Sequence, residues 1–373
     1  MDFGLSSEQQ LLADSLGRFL AEELPIEAVR KLVAERPGHD GGAWRRLAEL
    51  GVAGILVPEA HGGGGLAMLD AAVAAQTLAR FVAPAPFLGT AVMAATAIRH
   101  AGTPEQQARW LPRIASGALR VGVAAAELVS RREDAGVRAD GDRLRGRSLM
   151  AIDALDADVL LVACGAAGED LALVEADASG LTRTPLKTID RSRGFAELVL
   201  DGVAPAEWLG ERGGASAAAG RMLDAGRAVI AADLLGASER AIELAVAYAN
   251  QREQFGRKIA SFQAVKHLCA EMVAELEPAR SLVWYAAHAF DAAPSESALM
   301  ISHAKAHLAE IGQRIVRTAT EVHGGIGFTD EQNLHYWFKR VGVDRQLLGS
   351  PEQLREHAAR LQGWAQAAEG RAQ

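Results

Sequence analysis

The sequence predicts an α+β multidomain chain ordered as helices, then strands, then a bundle of long helices, and three observations carry that reading. Apolar residues recur at three- and four-residue spacing from Leu5 to about Ile114. Short apolar or alternating runs separated by Gly, Asp and Ser fill the middle, and long Ala- and Leu-rich stretches return after Pro205. The domains are expected at residues 1–118, 119–206 and 207–373. No alternating strand–helix–strand pattern asks for a parallel sheet. A chain of 373 residues is long enough for two or three domains around a large core.

Each element has a local reason. Ser6 or Ser7 can cap the first helix, "AWRRLAELG" ends on a glycine of the C-cap kind, and "MLDAAVAAQTLARF" shows a helical stripe. The strands are expected in "LRVGVAAAE", "DRLRGRSLMAI", "ADVLLVACG", "DLALVEAD", "LTRTPLKTI" and "AELVLDGV". Long helices follow over 215–251, 261–290 and 295–322, with a last one from Pro351 to about Ala368. Short connections between them imply antiparallel packing.

Composition narrows the function classes. Hydrophobic residues make up 49% and charged residues 23%, and the net charge of -8 carries no long block of one sign, so a nucleic-acid partner is not expected. Cys164 and Cys269 stand far apart without a CxxC partner, which argues against a disulfide framework or thiolate metal site and fits a reducing cytoplasm. The N-terminus has neither signal-peptide nor transit-peptide character. The longest uncharged run, "FVAPAPFLGTAVMAATAI", holds two prolines and many small residues, so no membrane span is expected and a cytoplasmic location is inferred.

Four motifs bear on chemistry. "GILVPEAHGGGGLAMLDAAVAAQTLA" imitates a dinucleotide-binding turn, but "FVAPAPFLG" follows where a second strand ending in an acid is needed, so Gly62 to Gly65 read as a tight loop. In "HAKAH", His303 and His307 sit four apart, yet the acid of a zinc-binding helix is absent and two exposed or interface histidines are expected rather than a metal. In "QREQFGRKIASFQAVKH", Arg252 and Phe255 share a face at helical spacing, and Gly256 lets the chain turn. On spacing alone two roles stand open for Arg252: a fork for a diphosphate, or a salt bridge to one of many glutamates. In "HGGIGFTDEQNLHYWFKR" paired glycines either expose backbone N–H groups to a phosphate or simply end a helix.

Those last two stretches, together with "LAELGVAGILVPEAHGGGGL", "LPRIASG" and "LKTIDRSRGFAELVLDGV" in order, resemble the acyl-CoA dehydrogenase family over nearly the whole chain. The resemblance implies an N-terminal helical domain, a middle β-domain and a C-terminal four-helix bundle. It also implies FAD, an acyl-CoA substrate and an electron-transferring flavoprotein or similar acceptor. In the family the diphosphate end of FAD is held by a neighbouring subunit, and those roles carry over to Arg252, Phe255, Gln263, Gly324 and Gly325.

The resemblance also marks what is missing. The reaction needs a carboxylate to take the proton α to the thioester. The family's two usual base positions fall on Gly226 and Leu348 here. Asp224 is two residues off, about 200° round a helix. Met150 and Ile152 stand where relatives have an aromatic residue and a threonine against the flavin ring, and Glu321 replaces a common glutamine beside Gly324. The chain is therefore expected to resemble the base-lacking subunit of the actinobacterial α2β2 heterotetramers that act on steroid-derived CoA thioesters. A self-sufficient homo-oligomer would need a displaced base, with Glu352, Asp344 or Asp224 as candidates. A third expectation is a scaffold subunit without flavin.

Overall fold

Reciprocal caps start several helices of the computed structural model, which describes residues 4–364 apart from 36, 37, 39, 40 and 131. At Ser6 the hydroxyl accepts from the Gln9 backbone N–H while the Gln9 side chain accepts from Ser6 N, opening α1 (Ser7–Glu23). Helices α2 (Ile26–Glu35), α3 (Gly41–Glu49), α4 (Met68–Arg80), α5 (Ala95–Ala101) and α6 (Pro104–Ala115) complete the N-terminal layer. Gly51 ends α3 with φ +83°, the left-handed geometry that its C-cap reading requires. The uncharged run with two prolines becomes a buried π-helical segment, Phe87–Ala94, leading into α5. Among the described residues no helix is long and apolar enough to cross a membrane.

The middle of the chain forms two four-stranded sheets. β1 (Val121–Ala124), β4 (Val159–Cys164), β5 (Asp170–Glu175) and β8 (Glu207–Trp208) lie in that order in one; β2 (Gly136–Asp140), β3 (Arg143–Ala151), β7 (Ala196–Val203) and β6 (Leu181–Pro185) form the other. Leu144, Leu160, Val162, Leu198 and Leu200 are buried in the core that the two sheets share. One expectation is corrected: β1 and β4 pair in parallel. The crossover between them is the β2–β3 hairpin of the second sheet rather than a helix, so no helical pattern announces it. β2 and β8 escape the sequence pattern, being short and partly polar.

The C-terminal helices are α7 (Ser216–Gln251), α8 (Gln263–Ala292), α9 (Pro294–His323), α10 (Leu334–Gln346) and α11 (Pro351–Leu361). Helix α7 is the axis, packing against α4, α8, α9 and α10. Its Gly236 is required by contact: a Cβ there would lie 2.0 Å from the Gln76 carbonyl of α4. The expected last helix stops at Leu361, and residues 365–368 of that expectation lie outside the described residues. Helix α10 is hidden in the sequence because two charged residues, Arg340 and Asp344, occupy its buried face.

Candidate active site

Helix α7 ends at Gln251, and Arg252 is its extended C-cap residue, at φ -68° and ψ 131°. A two-residue turn then joins β9 (Glu253–Gln254) to β10 (Arg257–Lys258), with Phe255 at φ +53° and Gly256 at φ +74°. Arg252 and Phe255 therefore do not share a helix face, as spacing alone suggested. The left-handed turn at Phe255-Gly256 is why. Phe255 is 91% exposed at the tip, and its ring stands edge-on to Phe262, 6.1 Å away.

Arg252 lines a cleft of about 370 Å³ together with Tyr248, Glu321, Gly324 and Gly325. Its side chain makes no hydrogen bond or ion pair with any described residue, so the salt bridge left open by the sequence is not formed among them. Gly324 caps α9 at φ +67°, and a Cβ on either glycine would meet open space. The two pairs of signals, arginine and paired glycines, are thus brought to one place. Gln263 and Phe255 do not line this cleft. Gln263 is exposed, with Nε2 3.4 Å from His267 Nε2. An unpaired guanidinium beside glycine backbone suits a diphosphate, and Glu321 in the same cleft opposes it.

The two vacant base positions meet. A Cβ at Gly226 would lie 2.5 Å from Leu348 Cδ1 and 3.1 Å from Met93 Sδ, so the Leu348 side chain rests directly on Gly226. Leu348 also lines an apolar cavity of about 350 Å³, which Met150 and Ile152 of the β-domain share with Gly349 and Gln353. No carboxylate among the described residues lines it. Asp224 pairs with Arg227 at 3.0 Å, Glu352 is exposed and pairs with Arg345, and Asp344 is buried against Arg193. None of the three displaced-base candidates reaches the cavity.

Leu348 is held at φ +57°, unfavourable for a branched side chain. Its carbonyl accepts from Arg227 Nε at 3.0 Å, and the Gly349 carbonyl accepts from Lys305 Nζ at 2.7 Å. Burial pushes the Lys305 ammonium down to about 7, with Asp344 opposing the shift. These two buried cations fix the turn, and sequence reading passes over them. The signal lies inside "HAKAH": Lys305 falls four after Ile301 and three before Leu308, on the buried stripe of α9. His303 and His307 face outward from the same helix.

Asp153, next in the chain to the cavity-lining Ile152, is buried at φ +52° and accepts from Gly89 N at 2.7 Å. Burial raises its carboxyl from 3.8 to about 6, against the pull of Arg193. A raised folded value means that its contribution is whole below 3.8 and is lost as pH climbs through about 6. Asp153→Asn should therefore gain stability relative to the unmodified chain between pH 4 and 7, by on the order of 3 kcal/mol. Urea midpoints across that range measure it, and a constant difference between the two proteins would refute it.

Sequence profiles of the acyl-CoA dehydrogenase N-terminal and C-terminal domains match residues 6–118 and 212–362. The chain is 31% identical over 359 residues to acyl-CoA dehydrogenase IpdE2 of Mycolicibacterium smegmatis, covering 96% of this chain and all of that one. Among solved structures, the Tcur3481-Tcur3483 steroid ACAD superposes with TM-score 0.86 at 32% identity, over 95% of this chain and 98% of that one. The ChsE4-ChsE5 complex of Mycobacterium tuberculosis does so with TM-score 0.89 at 27% identity, over 98% and 100%. These matches span both helical domains and the sheets between them, and the chain belongs to the acyl-CoA dehydrogenase family.

Proposed function

We propose that this chain is one subunit of a flavin-dependent acyl-CoA dehydrogenase, in which it clamps the FAD diphosphate while a paralogous partner subunit carries the catalytic carboxylate. The observation that carries this reading is the meeting of Gly226 and Leu348: one point in space, served by either base position, is filled with hydrocarbon. The likeness to the ChsE4-ChsE5 complex and to a two-component steroid ACAD supports an α2β2 assembly and a steroid-derived acyl-CoA as substrate class.

Within that reading Arg252 binds the two phosphates through its fork, and the open glycine backbone at Gly324 and Gly325 permits close approach. Phe255 and Gln263, both exposed beside the hairpin, reach across to the same cofactor. FAD supplies the acceptor for the hydride leaving the β carbon. An electron-transferring flavoprotein or similar carrier then takes the electrons, in the cytoplasm. This chain moves no proton at the substrate. The self-sufficient homo-oligomer loses ground because Asp224, Asp344 and Glu352 are all engaged away from the apolar cavity.

Purification alone and with a co-expressed paralogue bearing the glutamate tests the reading. The chain alone is expected to be colourless and inert; the pair is expected to be yellow, of equal stoichiometry, and active on acyl-CoA with an artificial acceptor. A yellow, active homo-oligomer would overturn it, and a colourless, inert pair would make the chain a scaffold.

A further inference from the structure

A second cleft, of about 350 Å³, lies where α2, the loop before β7 and α10 meet, and it is lined by Arg30, Arg191 and Lys339. None of these three cations pairs with a described carboxylate. Arg191 donates only to the Ala34 carbonyl at 3.3 Å, Lys339 Nζ lies 3.2 Å from His335 Nδ1, and Arg30 has no side-chain partner among the described residues. In a chain of net charge -8, three cations without a described carboxylate partner share one concavity.

The acidic groups present do not cancel them. Asp190 is taken up by Arg340 at 2.9 Å and by Ser192 N at 2.9 Å. Asp330 alone opposes them, from the mouth: its Oδ1 lies 2.9 Å from His335 Nε2, but burial lowers the His335 imidazole and leaves the Asp330 charge in place. The wall between the cations is aromatic and partly apolar: the Tyr336 and His335 rings lie 4.1 Å apart, tilted by 37°, and Ile189 is 64% exposed beside them. By comparison the Arg252 cleft holds one cation and one carboxylate.

We infer that this cleft binds the phosphoryl group of a mononucleotide-sized organic phosphate, with its planar base against Tyr336 and Ile189. Three cationic donors lining one cleft can together satisfy a dianionic phosphoryl group as a single arginine does not. The volume stands at the lower end of the ~300–1,000 Å³ range of ligand pockets and leaves no room for a dinucleotide. The site is separate from the diphosphate clamp and does not depend on it.

Calorimetric titration of the full chain with AMP, inorganic pyrophosphate and adenosine tests the inference. AMP is expected to bind more tightly than pyrophosphate, adenosine not to bind, and affinity to fall as ionic strength rises. Arg30→Gln and Lys339→Gln should each weaken AMP by about tenfold, one charge-assisted hydrogen bond apiece. Both side chains lack carboxylate partners, so melting temperatures should hold, and Arg252→Gln should leave AMP affinity unchanged. Absence of AMP binding, equal binding of adenosine, or indifference to both cleft substitutions would overturn the site. Loss of AMP binding in Arg252→Gln would move the ligand to the clamp and overturn it equally.

Discussion

Arg252→Gln leaves the melting temperature of the isolated chain unchanged and cuts flavin retention in the co-purified assembly by about 30-fold or more. The two halves of this expectation rest on the same fact. The guanidinium makes no bond to any described residue, so the fold loses nothing when it is neutralised. In the proposed assembly its contribution is made to the flavin diphosphate. A fork facing a diphosphate in a subunit interface is largely removed from water, and truncating one member of such a pair leaves phosphate oxygens without partners. Glutamine keeps the length and one donor but neither the charge nor the second parallel bond.

Glu321 gives the test a second direction. Its carboxylate shares the cleft with Arg252 without pairing to it. Glu321→Gln should tighten flavin retention if a diphosphate occupies this place, because the repulsion goes and the donor stays. Equilibrium dialysis of the assembly against flavin-free buffer, read at the flavin absorbance, measures both variants. Unaltered retention in Arg252→Gln would remove the clamp, whatever the outcome for Glu321.

Much of the fold and part of the site are legible in the amino-acid sequence. The order of helices and strands follows from periodicity, and the arginine and the paired glycines can be picked out and placed together by resemblance. Three kinds of feature are not legible, each for a physical reason. The hairpin after Gln251 depends on positive φ at Phe255, which no propensity assigns to phenylalanine. The parallel pairing of β1 with β4 is reached across the β2–β3 hairpin, a crossover without a helical signature. The contact between Gly226 and Leu348 joins positions more than a hundred residues apart, so two absences that look separate along the chain are one absence in space.

Arg340→Met should be the most destabilising single change on α10, at about 3–5 kcal/mol, because it strands buried carboxylates rather than merely removing a contact. Arg340 is 2% exposed, and its guanidinium engages Asp190 at 2.9 Å, Asp233 at 3.0 Å and Ser192 Oγ at 2.6 Å. Beside it Arg193 meets Asp233 at 2.8 Å and Asp344 at 3.0 Å. Burial would raise both of the latter acids, but Arg340 and Arg193 outweigh it at Asp233 and hold that carboxyl low. At Asp344 burial wins, and its carboxyl lies well above the usual range. The raised proton affinity of Asp344 eases the repulsion among the carboxyls gathered around Arg193 and Arg340, Asp153 among them. This balance ties the loop before β7 to α7 and α10, so it joins the sheets to the bundle. Methionine fills the volume and breaks the balance. Adding Asp190→Asn to Arg340→Met should recover part of the loss, since it removes one of the stranded charges, and the pair should be strongly non-additive. The exposed Arg345–Glu352 pair supplies the contrast: Arg345→Met should cost about 1 kcal/mol or less. Urea denaturation of these three variants and of Asp190→Asn alone decides it, and a loss at Arg340 no larger than that at Arg345 would mean the buried cluster does not hold the domains together.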